Sequence, residues 1–412
     1  MESVCDFFMR KQSVIIDNYT FRMHYRATTF LLLVFATFIA VGQFLGDPID
    51  CSIVEKDELQ DVGNYDTSYR SDIPSHFGPL QNGGKAVGSH QVDTAMLDTF
   101  CWVHSTFTYP PAIRMPPDAV TNNHTDHVPH PDLIPVLQYP GLLPSLGPVK
   151  AQPRYHNYYK WIPLFLFMQA VTFYFPRFLW KIWEGGKVKG LTDQLHTTVI
   201  EEPIIIQKKR HLLEYFNRNI HRQHYYAFKF FFCEIVNLIN VIMQIFITDK
   251  FLGYQFLSYG SRVVQFRDEP SYLDSSSPVH PMDEVFPKMS RCLMYTLGSS
   301  TTLRTHNAFC VLPTNAYNDK IFLFLWFWFV ILSLLSGISF FYRLATFSPS
   351  FRHRLLCSEL HLVDPQAVKI VSRHCNIGDW FMLFILALNM DPDIYKEFFS
   401  DLVLKFAQTQ PY

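Results

Sequence analysis

The sequence lacks an excess of either charge, with 35 Lys and Arg against 36 Asp and Glu in 412 residues. With the charges nearly cancelling, no nucleic-acid partner is implied. Repeated histidine boxes are also missing. Membrane di-iron oxygenases need several converging on one side, because two metals demand many ligands; here a single HxxH, His221 to His224, stands with His353, His361 and His374 scattered singly along the tail. Gly83-Gly84-Lys85 lacks the rest of a phosphate-binding loop and reads as a turn. His124, His127 and His130 are metal-binding residue types, but Pro129 and Pro131 break any helix that would align them, and a solvated loop accounts for them better. The expectation is therefore no enzyme, no catalytic residue, no metal and no cofactor.

What is present is apolar sequence gathered into blocks. The chain is 49% hydrophobic and 16% aromatic, yet its mean hydropathy is only +0.05, so distribution carries the signal rather than the average. A hydrocarbon core about 30 Å thick needs about 20 apolar helical residues, and four segments meet that length: 27–45, 161–180, 227–248 and 321–341. The first has no charged residue, is too long for a cleavable signal and has no small-residue cleavage site before Asp47, so it is expected to stay. In the second, Pro176 is expected to kink the helix and Arg177 to snorkel to the headgroups. The third reads as the least apolar, with Lys229, Glu234, Asn237, Asn240 and Gln244. Glu234, Asn237 and Gln244 share roughly one helical face, and interhelical hydrogen bonding explains that face better than a wet stripe does. Lys320 and Arg343 bound the fourth.

Four spans put both termini on one side. If that side is the cytosol, segments 1–26, 181–226 and 342–412 hold 19 Lys and Arg in 143 residues, whereas 46–160 and 249–320 hold 14 in 187. The basic density follows the positive-inside tendency, which predicts a multi-pass membrane protein with cytoplasmic termini. Cys51 and Cys101 then lie in the first outer loop and Cys292 and Cys310 in the second, an even set in an oxidising space that suggests two disulfides with all three pairings open. Asn123-His-Thr125 is an outer glycosylation sequon, whereas Asn18-Tyr-Thr20 faces the cytosol and is expected to stay bare.

A family likeness enters at Tyr158-Tyr159-Lys160-Trp161, which resembles the YYQW signature of innexins, the invertebrate gap-junction subunits, with Lys160 in place of the usual Gln. FYFPRFLWKIWEGGKVK follows it, and its stretch from Pro176 to Gly186 is similar to the same family. Further similar runs are DTFCWVHSTFT from Asp98, INVIMQIFITDKFLG from Ile239, FPKMSRC from Phe286, FCVLP from Phe309, KIFLFLWFWFVIL from Lys320 and GDWFMLFIL from Gly378. The resemblance covers nearly the whole chain in order. Two departures stand out: 49 residues separate Cys51 from Cys101, longer than innexins usually have, and the stretch from Pro110 to Pro153 is extended and rich in Pro and His.

The resemblance implies an all-α tetraspan subunit with disulfide-linked outer loops that hold short strands and a helical cytoplasmic dome. In the dome, Asp391 to Phe406 spaces its apolar residues for a packed face. One four-helix subunit cannot enclose a wide aqueous path, so copies must ring an axis. The family implies eight copies, alone or mixed with other innexins, in contact with membrane lipids. It also implies a large-pore channel for ions and small solutes, either docked head to head with a ring in the next cell or unpaired as a hemichannel. The long outer loop and a glycan at Asn123 weigh against docking. The N-terminal segment is expected to fold into the funnel, which makes Met1, Glu2 and Asp6 pore-lining candidates. Gly46, Asp47 and Asp50 join them, because rotational repetition would turn each Asp into a cation-favouring ring; solvated loop carboxylates are the competing reading. The likeness also pairs Cys51 with Cys310 and Cys101 with Cys292. A non-conducting tetraspan adhesion or scaffold protein, and more remotely a metal-dependent membrane oxygenase, are the alternatives.

Overall fold

The structure is a computed structural model that describes residues 14–53, 93–108, 153–193, 195, 202–268, 280–297, 303–359 and 365–408. Met1, Glu2, Cys5, Asp6, Gly83 to Lys85, the departure spanning 110–152, Asn123, the histidines of 124–130 and His361 lie outside them.

Four helices are long and apolar enough to cross a membrane, and each overruns the span expected from sequence. The first, α1 (Tyr19–Leu45), starts where Asn18 caps it by accepting the Phe21 N–H at 2.8 Å. Its turns from Met23 to Thr28 widen to π-helix, and the Thr28 hydroxyl donates to the Met23 carbonyl at 2.9 Å. Between α1 and the second long helix comes α2 (Thr94–His104), capped by Asp93. The long helices α3 (Tyr158–Glu184) and α6 (His224–Phe251) flank α4 (Lys187–Thr192) and α5 (Glu202–Arg218). Next come α7 (Tyr259–Asp268), α8 (Pro281–Val285) and the last long helix, α9 (Asn315–Ala345). The tail forms α10 (Pro349–Glu359), α11 (Pro365–His374), α12 (Ile377–Ala387) and α13 (Pro392–Gln408). One expectation is corrected: the lowest mean hydropathy among the spans belongs to α3, which carries Gln169, Tyr174, Pro176 and Arg177, and not to α6.

The chain divides into two compact units. The first takes Met1–Ala36, Leu164–Leu257 and Phe324–Tyr412. Its core joins the long helices to the tail through Trp180, Phe230, Phe381 and Phe398, all buried. The face read from Asp391 to Phe406 is the one that packs, since Ile394, Tyr395, Phe398, Phe399, Leu402 and Phe406 are buried. Each such side chain contributes about 1.5–3 kcal/mol on leaving water. The α3–α4 turn explains the Trp-Glu-Gly-Gly run. Gly185 and Gly186 take φ of +61° and +77°, which L side chains resist. The Glu184 carboxylate then accepts the N–H groups of Gly186 and Val188, each at 2.7 Å, and so caps α4.

The second unit takes Thr37–Pro163 and Ser258–Leu323. It holds a five-stranded antiparallel sheet of order β1-β5-β4-β2-β3, from β1 (Asp50–Ile53), β2 (Thr106–Thr108), β3 (Arg154–His156), β4 (Met289–Leu297) and β5 (Leu303–Val311). β1 covers β5 only from Ala308 to Val311, and β2 meets β4 at Arg291. Beyond that, from Leu293 to Leu297 and Leu303 to Asn307, the β4–β5 ribbon pairs only with itself among the described residues.

Candidate pore-mouth site and the polar clusters around the helices

The chain leaves α1 through Gly46, where an added Cβ would stand 2.8 Å from the Gly42 carbonyl oxygen, so only glycine turns here without displacing backbone. Ile49 is buried and pins the strand, while Asp47 and Asp50 on either side of it remain exposed. Asp98, from α2, accepts the Cys51 N–H at 2.7 Å. Burial pushes the Asp98 carboxyl above its ordinary range, the Cys51 hydrogen bond opposes that shift, and the charges of Asp50 and Asp47 add to it. Three carboxylates thus share one field at the end of the first helix. Sequence reasoning passed over Asp98. The signal was its place three residues before Cys101 on one helical face.

Cys51 and Cys310 face each other across β1 and β5 and are bonded, and Cys101 of α2 is bonded to Cys292 of β4. Sulfurs of Cys51, Cys101 and Cys310 lie within 4.8 Å of one another. All are disulfide sulfur, and a bonded pair has no thiolate to offer a metal. The Tyr-Tyr-Lys-Trp signature forms one 3₁₀ turn at the start of α3. Tyr158 donates to the Val285 carbonyl at 2.9 Å, Tyr159 is buried with its ring 4.9 Å from that of Trp102, and Lys160 donates to the Val103 carbonyl at 2.8 Å. Gln43 of α1 donates to the Tyr159 carbonyl at 2.8 Å, and Trp161 is exposed. The signature therefore locks helix ends to the sheet unit. Pro176 lies inside α3 without ending it.

In the first unit the charges expected at membrane boundaries turn inward. Arg177 does not reach outward. It binds Asp17 at 3.0 Å and covers the Tyr25 ring at 4.9 Å, because a buried carboxylate offers more than an exposed headgroup. Arg343, expected to bound the fourth span, is buried and grips Glu234 through two bonds of 2.7 and 2.8 Å. Asn18 donates to Glu234 at 2.6 Å, so the amide of the Asn18-Tyr-Thr20 sequon is engaged in packing. Gln244 donates to Thr172 at 2.9 Å, as interhelical bonding predicts, whereas Asn237, buried on the same face, departs from that expectation, since neither its Oδ1 nor its Nδ2 meets a hydrogen-bond partner among the described residues. His221 and His224 hold no metal-like cluster among the described residues. Asp379 accepts the His221 N–H at 3.1 Å, and Asn376 Nδ2 lies 2.9 Å from His221 Nδ1, so this pair seats the start of α12.

The innexin family model matches residues 17–69 and 86–406. The chain is 38% identical to Innexin inx2 of Drosophila melanogaster over 397 residues, 96% of this chain and 92% of that one. It is 38% identical to Innexin inx2 of Schistocerca americana over 398 residues, 96% and 95% of the two chains. To Innexin shaking-B of Drosophila melanogaster it is 33% identical over 395 residues, 96% and 91%. The family match omits 70–85, which falls inside the long interval from Cys51 to Cys101.

Proposed function

The chain belongs to the innexin family, and from that premise we propose that it works as a subunit of a large-pore channel for ions and small solutes, a ring of copies around an aqueous axis. The observation that carries this reading is the match of nearly the whole chain to the family, together with four apolar helices that cannot enclose a wide path alone. Family membership sets aside the oxygenase and the non-conducting scaffold. The ring is an octamer, homomeric or shared with other innexins, in the plasma membrane with both termini in the cytosol. The residues ahead of α1 form the inner funnel, and Asp47 and Asp50 ring the outer mouth. Exposure of both carboxylates beside Asp98 supports that placement. Whole-cell current and dye uptake in expressing cells test conduction; sealed cells, or protein strictly monomeric in lipid, overturn it. At the mouth, Asp47→Asn and Asp50→Asn should each lower cation preference in reversal-potential measurements, and unchanged selectivity in both defeats the ring assignment.

Docking to a second ring is supported by the open end of the β4–β5 ribbon, where Tyr295, Leu297 and Leu303 are exposed and the strands pair only with each other among the described residues. The insertion at 70–85 favours the unpaired hemichannel. Paired cells expressing only this chain decide between the two: junctional current supports docking, and its absence beside robust unpaired current supports the hemichannel.

A further inference from the structure

The four residues that lead into α1 are held in succession by different parts of the first unit. Ile15 donates its backbone N–H to Oδ1 of Asn389 at 2.6 Å, and Asn389 Nδ2 donates back to the Ile15 carbonyl at 2.7 Å. Trp180 Nε1 donates to the Ile16 carbonyl at 3.0 Å. Asp17 accepts from Arg22 at 2.7 Å and from Tyr25 and Arg177 at 3.0 Å each. Asn18 donates to Glu234 at 2.6 Å and to Ser339 at 3.3 Å. Three of these four holds come from the long helices or from α1 itself. Asn389 comes from the tail, 374 positions away.

Asn389 is built for this contact. It lies in the short connection between α12 and α13, half-buried, and its Nδ2 also donates to the Ile385 carbonyl at 2.8 Å, which fixes the amide plane on the end of α12. Two residues on, Asp391 donates its N–H to the Leu195 carbonyl at 3.0 Å, tying the same connection to the segment between α3 and α6. Only a primary amide offers an acceptor and two donors on one short side chain. Asn389 uses all three, and so satisfies both backbone groups of Ile15 as a neighbouring β-strand would. Any movement of the lead-in relative to the α12–α13 connection must break this pair.

We propose that Asn389 is a positioning residue for conduction: its amide ties the lead-in of the first membrane helix to the cytoplasmic tail and fixes where residues 1–13 depart toward the pore. The inference rests on the reading of the residues ahead of α1 as the inner funnel. It gives the tail a route to the pore, since whatever shifts α12 or α13 changes the hold on Ile15 without touching the axis.

The test uses the full-length chain in cell membranes, with trypsin applied to the cytoplasmic face and unitary currents recorded in parallel. Asn389→Leu should raise cleavage after Arg10 or Lys11 about tenfold, because proteolysis follows the population of the released segment and two hydrogen bonds hold it. Cleavage at Lys396, exposed on α13, should stay unchanged, and the open-to-closed ratio should shift by a similar factor. Asn389→Asp keeps the acceptor for the Ile15 N–H and loses both donors, so its effects should fall between wild type and Leu. Equal acceleration at Lys396 would show that the residue only supports the tail and overturns the proposal, as does faster cleavage at Arg10 with an unaltered open-to-closed ratio. Failure of the funnel reading is seen separately: Asp6→Asn, which leaves the amide intact, would then change neither unitary conductance nor cation preference.

Discussion

At position 378 there is room for a hydrogen atom and nothing larger. A Cβ there would lie 2.4 to 2.6 Å from backbone atoms of Gln223 and His224, so the glycine of Gly-Asp-Trp lets α12 press directly on the start of α6. Gly378→Ala should cost about 1–3 kcal/mol through forced backbone separation, seen as a lower melting temperature of the detergent-solubilised protein; an unchanged melting curve would rule out that tight approach. His156 is the second residue whose behaviour follows from its surroundings. Burial first, and Arg154 second, pull its pKa from 6.5 to about 4, and its ring bonds Thr108 at 2.7 Å. The folded state therefore prefers the neutral ring. This contribution is intact above pH 6.5, the unfolded value, and is lost as pH falls toward 4. The loss amounts to up to about 3 kcal/mol. Hydrogen-exchange protection factors across β2 and β3, corrected for the intrinsic pH dependence of exchange, should fall over that window in wild type and stay flat in His156→Gln. Neither residue advertised itself: Gly378 stood in a family motif without a stated role, and His156 was one of 17 histidines with no local pattern.

Among elements, the four long helices were legible because length and apolarity are local properties that the bilayer itself imposes. The π-helical turn of α1 and the inward charges were not. Arg177, Glu234 and Arg343 each look like boundary residues along the chain, and only partners 109 to 160 positions away turn them into bundle contacts. The sheet was anticipated as short strands but not in its order, since β1 and β5 meet across most of the sequence. Its fastening can be tested directly. Replacing both Cys101 and Cys292 with Ser removes the tie between α2 and β4 and should lower stability by about 2–4 kcal/mol, read as a lower melting temperature and a shifted band on a non-reducing gel. A variant with native mobility and melting would show that the bond contributes nothing.

For the whole molecule, membership of the family was readable from motif order alone, while the pore-lining role of Met1, Glu2 and Asp6 is argued from likeness and stays with the proposal. The open ribbon gives the docking question a sharp form. Leu297→Asp with Leu303→Asp places charge on its two exposed leucines, and burying unpaired charge against a facing ring is costly. Junctional current should disappear and unpaired current persist; junctional current at wild-type level would show that contact is made elsewhere. The two disulfides also set a timetable. Their partners lie 259 and 191 residues apart, with Cys310 just ahead of the last long helix. Cys51 and Cys101 are therefore made long before either native partner, and they are neighbours once folded. Oxidation too early would join those two to each other, and that bond would have to be reshuffled by thiol–disulfide exchange before the native pairs could close.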